Sequence, residues 1–460
     1  MFGGGQLTGT KGGALMLCAA LILAMLSALL ITAATASTPA PQGFEGVASC
    51  AGSTCHGRME ADGAVVRQDE LARWQEPSTP GGAHSRAFSV LNGRRAHQIT
   101  ATLGLGDPTA APACLGCHST PTDGSRGAKF LTNDGVSCEG CHGGASGWIA
   151  SHYAVGASHA DNVSRGMTAL DKPMVRAGVC LDCHLGSARS GQYVTHRMMA
   201  AGHPRISFEL DLFSTMQQHH DEDADYAQRK GRTDSVRLWA VGQAMALNRS
   251  MTLYASGRGT EGAFPEFTFF DCHSCHRRIY DQADRSLTFE SNPGRPIAFG
   301  QPPFNDENMI LLAAAARIAA PSLAARLDAD VKAFHQSMGS DRGGLVAAAR
   351  KLATTAQALA SALSGLTGTG EMAFAMIDAI AAPAISGRFT DYQGSVQAVM
   401  GVDTLLSALV KQGRVSEGAA AGIRADINRA YAAVNEPNSF RPAAFRAALG
   451  SAVRSIRALR

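Results

Sequence analysis

Five cysteine pairs, each followed at once by a histidine, constrain this chain of 460 residues more than any other feature of its sequence. Four pairs have the form C-x-x-C-H, and the first is stretched to four intervening residues. The cysteines are Cys50, Cys55, Cys114, Cys117, Cys138, Cys141, Cys180, Cys183, Cys272 and Cys275. The histidines are His56, His118, His142, His184 and His276. A unit repeated in this way indicates one chemistry used several times.

The spacing is typical of covalent haem attachment. Two thiols add to the two vinyl groups of a porphyrin, and the next residue then offers an imidazole nitrogen to the iron. A single C-x-x-C-H is also compatible with structural zinc, a disulfide or a redox dithiol. Four copies and a variant together favour haem. We therefore expect five covalent c-type haems, with the four at the regular motifs as the minimum. For the stretched motif the alternative is a disulfide beside a chance histidine.

The second axial ligands must come from elsewhere in the chain. Electron-carrying haems use a strong ligand on each face, often a second histidine. Ten of the 15 histidines lie outside the motif positions. His196 and His203, seven residues apart, would share one face of a helix and reach two different haems. His84, predicted to begin an amphipathic helix, and His152, just beyond Trp148, complete the predicted set.

The other histidines are weaker candidates. His219 and His220 precede the acidic run 221–223, which favours a solvated loop. His273 is poorly placed to serve the haem of its own motif, and the remaining three are His97, His159 and His335. Four candidates for five irons leave one haem that uses a reserve histidine or has an open face.

The N-terminus predicts export. Lys11 precedes an apolar run from Gly13 to about Ile31, and Ala34-Thr35-Ala36 resembles a cleavage site. We predict a signal peptide over residues 1–36, or an uncleaved membrane anchor, and a periplasmic location. The formal charge of +3 gives no reason to expect nucleic acid binding. Arginines predicted to pair with haem propionates are Arg197, Arg205, Arg277 and Arg278.

The distribution of motifs predicts two domains. A mainly α multihaem cytochrome c domain, with short helices around stacked haems and a longer helix over Ser235–Ser256, would occupy residues 37–290. A glycine- and proline-rich loop follows, and residues 305–460 contain no cysteine. We predict that this part forms an alanine-rich helical bundle with a scaffold or docking role. Its helices are predicted over Leu311–Ala319, Gly344–Leu363, Val396–Lys411 and Ala419–Val434.

Residues 45–280 resemble bacterial multihaem cytochromes related to the tetrahaem electron acceptor of hydroxylamine oxidoreductase. The segments that carry this resemblance are SCAGSTCHG at 49–57, HSRAF at 84–88, GVSCEGCHG at 135–143, CLDCHLG at 180–186, AGHPRISFEL at 201–210 and FDCHSCHRR at 270–278. The resemblance implies a helical fold around stacked haem pairs, periplasmic electron transfer, and one five-coordinate haem. It also supports the four predicted distal histidines. The stretched first motif, fifth haem and alanine-rich tail depart from that pattern.

Three functions are compatible with these motifs. The leading hypothesis is a carrier that relays single electrons between periplasmic or membrane redox proteins. The alternative is an oxidoreductase acting on a small nitrogen or oxygen compound at one five-coordinate haem, and the third is a gas sensor whose tail docks a partner. The chain has no C-x-x-C-K motif and no other catalytic constellation.

Overall fold

The computed structural model describes residues 1–3, 42–63, 66–257, 266–276, 295–297, 301–386 and 392–460. Residues 42–460 form one compact unit. The predicted signal peptide or anchor therefore lies almost wholly outside the described residues, as do Arg277 and Arg278. No helix within the described ranges is both long enough and apolar enough to cross a membrane.

The fold is mainly α, as predicted, and the described residues contain no strand beyond two isolated bridges. The helices of the motif-bearing part are α1 Glu70–Gln75, α2 Arg94–Leu103, α3 Pro112–His118, α4 Cys138–His142, α5 Ile149–His152, α6 His159–Ser164, α7 Pro173–His184, α8 His196–Ala200, α9 Leu210–Met216, α10 Ala224–Lys230, α11 Ser235–Tyr254 and α12 Cys272–Cys275. Most of these helices are shorter than three turns, because the loops between them are rich in glycine and proline.

The C-terminal part consists of longer helices, which confirms the predicted helical segments to within four residues at each boundary. They are α13 Glu307–Ala319, α14 Pro321–Ser337, α15 Arg342–Ser364, α16 Gly370–Ala384, α17 Tyr392–Lys411, α18 Glu417–Ala433 and α19 Pro442–Arg457. Side chains cap several of them. Asp341 accepts a hydrogen bond from the Gly344 amide at 3.0 Å, and proline begins α14 and α19. Alanine on the facing sides lets these helices pack closely.

The two predicted domains share a core. Helix α11, from the motif-bearing part, packs against α15, and its Trp239 is fully buried in the same cluster as Leu312 and Leu359. The Asn248 amide donates to the Ala353 carbonyl at 2.9 Å across this interface. The boundary near residue 300 thus marks a change in helix length and cysteine content, while the apolar core continues across it.

Candidate functional site

Each of the five motif histidines lies opposite a second histidine at nearly the same separation. The distances between ring centroids are 6.3 Å for His56–His152, 6.2 Å for His84–His184, 6.3 Å for His118–His203, 6.2 Å for His142–His219, 6.3 Å for His142–His220 and 6.2 Å for His196–His276. The four predicted distal histidines are all among these partners, and each faces a different motif.

This separation fits an imidazole–iron–imidazole arrangement. With metal–nitrogen bonds of about 2 Å and about 1.1 Å from each nitrogen to its ring centre, the two centroids lie about 6.3 Å apart. The interplanar angles range from 14° to 86°, so the pairs share no common ring-stacking geometry. Distance is what the pairs have in common, and distance is what a shared iron would impose.

Hydrogen bonds orient several of these rings so that the other nitrogen is available. The Nδ1 atoms of His118, His152, His203 and His219 lie 2.7 to 3.0 Å from backbone carbonyl oxygens. A carbonyl only accepts, so Nδ1 must carry the proton and Nε2 keeps its lone pair. Bonds of this kind fix the tautomer and direction of metal-binding histidines. These four rings are therefore prepared to coordinate through Nε2.

The regular motifs lie on short helices, α3, α4, α7 and α12, where the two cysteines of C-x-x-C occupy neighbouring positions on one face. The stretched motif instead forms a compact turn. The Cys55 amide donates to the Gly52 carbonyl at 2.8 Å, and the His56 amide donates to the Cys50 carbonyl at 3.1 Å. A Cβ on Gly57 would lie 2.1 Å from the Ala51 carbonyl oxygen, so the turn requires glycine there. The turn accommodates the two extra residues.

None of the ten motif cysteines of the described chain is in a disulfide. Motifs distant in sequence nevertheless lie side by side. A hydrogen-bond contact with Cys138, together with burial, raises the pKa of the Cys50 thiol, which places the first motif beside the third. In the same way Cys117 raises the pKa of Cys183, which places the second motif beside the fourth.

The third motif has two candidate partners where sequence reasoning found none. The ligand atoms of His142, His219 and His220 all lie within 4.8 Å of one another. Segment 217–220 is non-helical, as predicted, but both rings are partly buried and face His142 instead of solvent. Burial lowers the pKa of His142 to about 3 and that of His219 to about 4, which keeps both rings neutral as metal ligands must be.

Two predictions about local structure around these histidines were wrong. His84 begins no helix: it lies in a turn between two 3-10 helices, where its carbonyl accepts from the Val136 amide at 3.0 Å. Helix α8 ends at Ala200, and Gly202 turns the chain with a φ of 117°. His196 and His203 therefore do not share a helical face, and the turn directs them to two different motifs.

Three other histidines of the described residues form no ring pair with a motif histidine. His97 is exposed, and His159 is exposed with its Nε2 3.1 Å from an Asp171 carboxylate oxygen. His335 is buried 3.6 Å from Asp306, in keeping with the structural role expected of it. Of the three, His159 is near enough to the third motif for its charge to contribute to the lowered pKa of His142, whose main cause is burial.

The C-terminal helices hold the fifth motif in place. Asp271 accepts a hydrogen bond from the Tyr392 amide at 3.0 Å, and His273 Nδ1 lies 2.8 Å from the Pro437 carbonyl oxygen. Arg205, predicted to pair with a propionate, contacts Glu307 at 3.3 Å and the Cys272 sulfur at 3.8 Å. The alanine-rich part is therefore a scaffold for the last motif.

Comparison with known proteins agrees with the chemistry of the site. Residues 49–143 match the family model described as cytochrome c554 and c-prime. The matched segment contains the first three cysteine–histidine motifs. Neither a curated protein nor a solved structure matches the chain. The matched segment and the attachment motifs support a c-type cytochrome, a class of proteins to which haem is covalently bound.

Proposed function

We propose that this cytochrome carries five haems, each ligated by a motif histidine and a second histidine, and that it relays single electrons between redox proteins. The observation that carries the proposal is the common separation of 6.2 to 6.3 Å at all five motifs. Bound haem would supply one-electron redox chemistry. The chain would hold each iron with its Nε2 atoms and fix the ring directions through carbonyl contacts.

The arrangement of the motifs supports a relay. The contacts of Cys50 with Cys138 and of Cys117 with Cys183 would bring haems together in two pairs. Burial and, after it, the nearby Cys141 thiol raise the pKa of Cys180, which links the third motif to the fourth. Among the motif cysteines, Cys55 and Cys275 are exposed and the others are partly buried. The first and last motifs would therefore exchange electrons with partners, and the middle three would connect them.

The partners follow from the expected location. An exported chain with covalently held cofactors would meet periplasmic or membrane-bound redox proteins, and the apolar run within residues 1–36 supports export. The alternative, an oxidoreductase with one open haem, was motivated by a missing fifth distal histidine. His219 and His220, which lie beside His142, would supply that ligand, and their position favours the relay.

Two measurements on the purified chain test this proposal. The intact mass and the pyridine haemochrome absorbance should both give five covalent haems per chain. The double variant Cys50→Ser, Cys55→Ser should give four. Low-temperature EPR of the ferric protein should show only low-spin signals, and nitric oxide should not bind the reduced form. A high-spin signal that titrates with nitric oxide would refute complete histidine ligation and favour the oxidoreductase.

A further inference from the structure

The histidine of the first motif has a different kind of hydrogen-bond partner. His56 Nδ1 lies 3.0 Å from Oε2 of Glu70, whose side chain is only 6% exposed. The corresponding partners of His118, His152, His203 and His219 are backbone carbonyls. A buried carboxylate is a stronger acceptor than a carbonyl, because it carries a full negative charge in a medium of low dielectric constant.

The protein holds this carboxylate firmly. Glu70 begins helix α1, and the next amide, that of Leu71, donates to the His56 carbonyl at 3.0 Å. Arg73, one turn later, contacts Asp69 at 2.7 Å and Asp221 at 2.6 Å. Helix α1 is thus bonded both to the first motif and to the segment that follows His219 and His220, so Glu70 has little freedom to move away from His56.

The same carboxylate faces the neighbouring site. Its Oε1 atom lies 3.5 Å from Nδ1 of His220. Glu70 therefore lies between the proximal histidine of the first motif and the histidine pair beside His142. The contact with His56, at 3.0 Å, is the shorter of the two, so the strongest effect of the carboxylate should fall on the first motif.

We propose that Glu70 is a positioning residue that lowers the reduction potential of the haem at the first motif. A carboxylate that accepts from a ligand imidazole draws the Nδ1 proton away from the ring and makes Nε2 a stronger donor. A stronger donor stabilises the ferric over the ferrous state. The inference rests on the proposed function, since it assumes that His56 is a haem ligand.

The test is a spectropotentiometric titration of the five-haem protein and its Glu70→Gln variant. Glutamine can still accept from Nδ1 but carries no charge. At a fixed potential we expect at least a tenfold rise in the ratio of ferrous to ferric haem for one component, a shift of about 59 mV for a one-electron couple. The component missing from the Cys50→Ser, Cys55→Ser double variant identifies the first-motif haem.

Asp69→Asn provides the matched control, since it removes a neighbouring buried carboxylate that bonds Arg73 and not His56. Equal shifts in the two variants would overturn the proposal in favour of a general charge effect. If Glu70→Gln loses the first haem, Glu70→Asp is measured in its place. This variant keeps the charge on a shorter side chain and should raise the reduction potential of the first-motif haem by a smaller amount. An unchanged potential would overturn the proposal. If the Glu70→Gln variant has five low-spin haems with unchanged reduction potentials, this inference alone is refuted. If the wild-type protein carries only four haems, the proposed ligation is refuted.

Discussion

His219 and His220 offer a prediction that distinguishes two adjacent residues. Their ring centroids lie 6.2 and 6.3 Å from that of His142, so distance alone does not decide which one coordinates iron. The contact at Nδ1 does: the Nδ1 of His219 is 3.0 Å from the Gln217 carbonyl oxygen, a hydrogen bond that holds the ring with Nε2 free for the metal. The Nδ1 of His220 has only a longer contact, 3.5 Å to Oε1 of Glu70, so this ring is held less firmly. We therefore expect His219 to be the distal ligand.

In the His219→Ala variant, one of the five haems should become high-spin and should bind one carbon monoxide when reduced. The His220→Ala variant is the matched control and should remain fully low-spin. EPR spin quantification and carbon monoxide titration of both variants, at equal haem content, measure the effect. A high-spin haem in His220→Ala with none in His219→Ala would refute the argument from Nδ1 orientation. An unchanged spectrum in both variants would refute histidine ligation opposite His142.

Three other perturbations have expected outcomes. Gly57→Ala would place a Cβ 2.1 Å from the Ala51 carbonyl oxygen and should reduce the covalent haem count by mass from five to four, whereas Gly52→Ala, whose Cβ comes no closer than 3.5 Å to the Cys55 sulfur, should retain five. Leu327→Ala, at a fully buried position in the C-terminal core, should lower the free energy of unfolding by about 2 to 5 kcal/mol with haem content unchanged, as chemical denaturation would show. Burial raises the pKa of Glu209 from 4.5 to about 7, so its contribution to stability is present below pH 4.5 and lost as the pH rises through 7. Glu209→Gln should flatten that decline in denaturant titrations across this range; a curve parallel to wild type would contradict it.

Local sequence patterns predicted the C-terminal helices well because apolar periodicity, caps and proline positions act within a few residues. Helix α11 was also predicted nearly to its ends. The packing of α11 against α15 was not predicted, because α11 belongs to a segment rich in motifs and α15 belongs to a segment without cysteine. Periodicity indicates which face of a helix is apolar, and it carries no information about which distant helix covers that face.

The histidines show the same limit more sharply. Residue type and spacing selected His84, His152, His196 and His203, yet which motif each would face depends on tertiary contacts between residues as far apart as His84 and His184. His219 and His220 were given low rank because the acidic residues after them suggest solvent exposure. In the structure two of those acids pair with arginines, Asp221 with Arg73 and Asp223 with Arg67, and this pairing lets the two rings turn inward.

The bond between His273 and the Pro437 carbonyl joins residues 164 positions apart. A contact with so long a sequence separation forms late, because the intervening loop must be closed before it contributes any stability. The last cysteine pair would therefore still be accessible on a partly folded chain after the earlier motifs had acquired local structure. Loss of the final helix α19 and the segment before it should then affect maturation unevenly, depriving the fifth motif of its support while the first four mature.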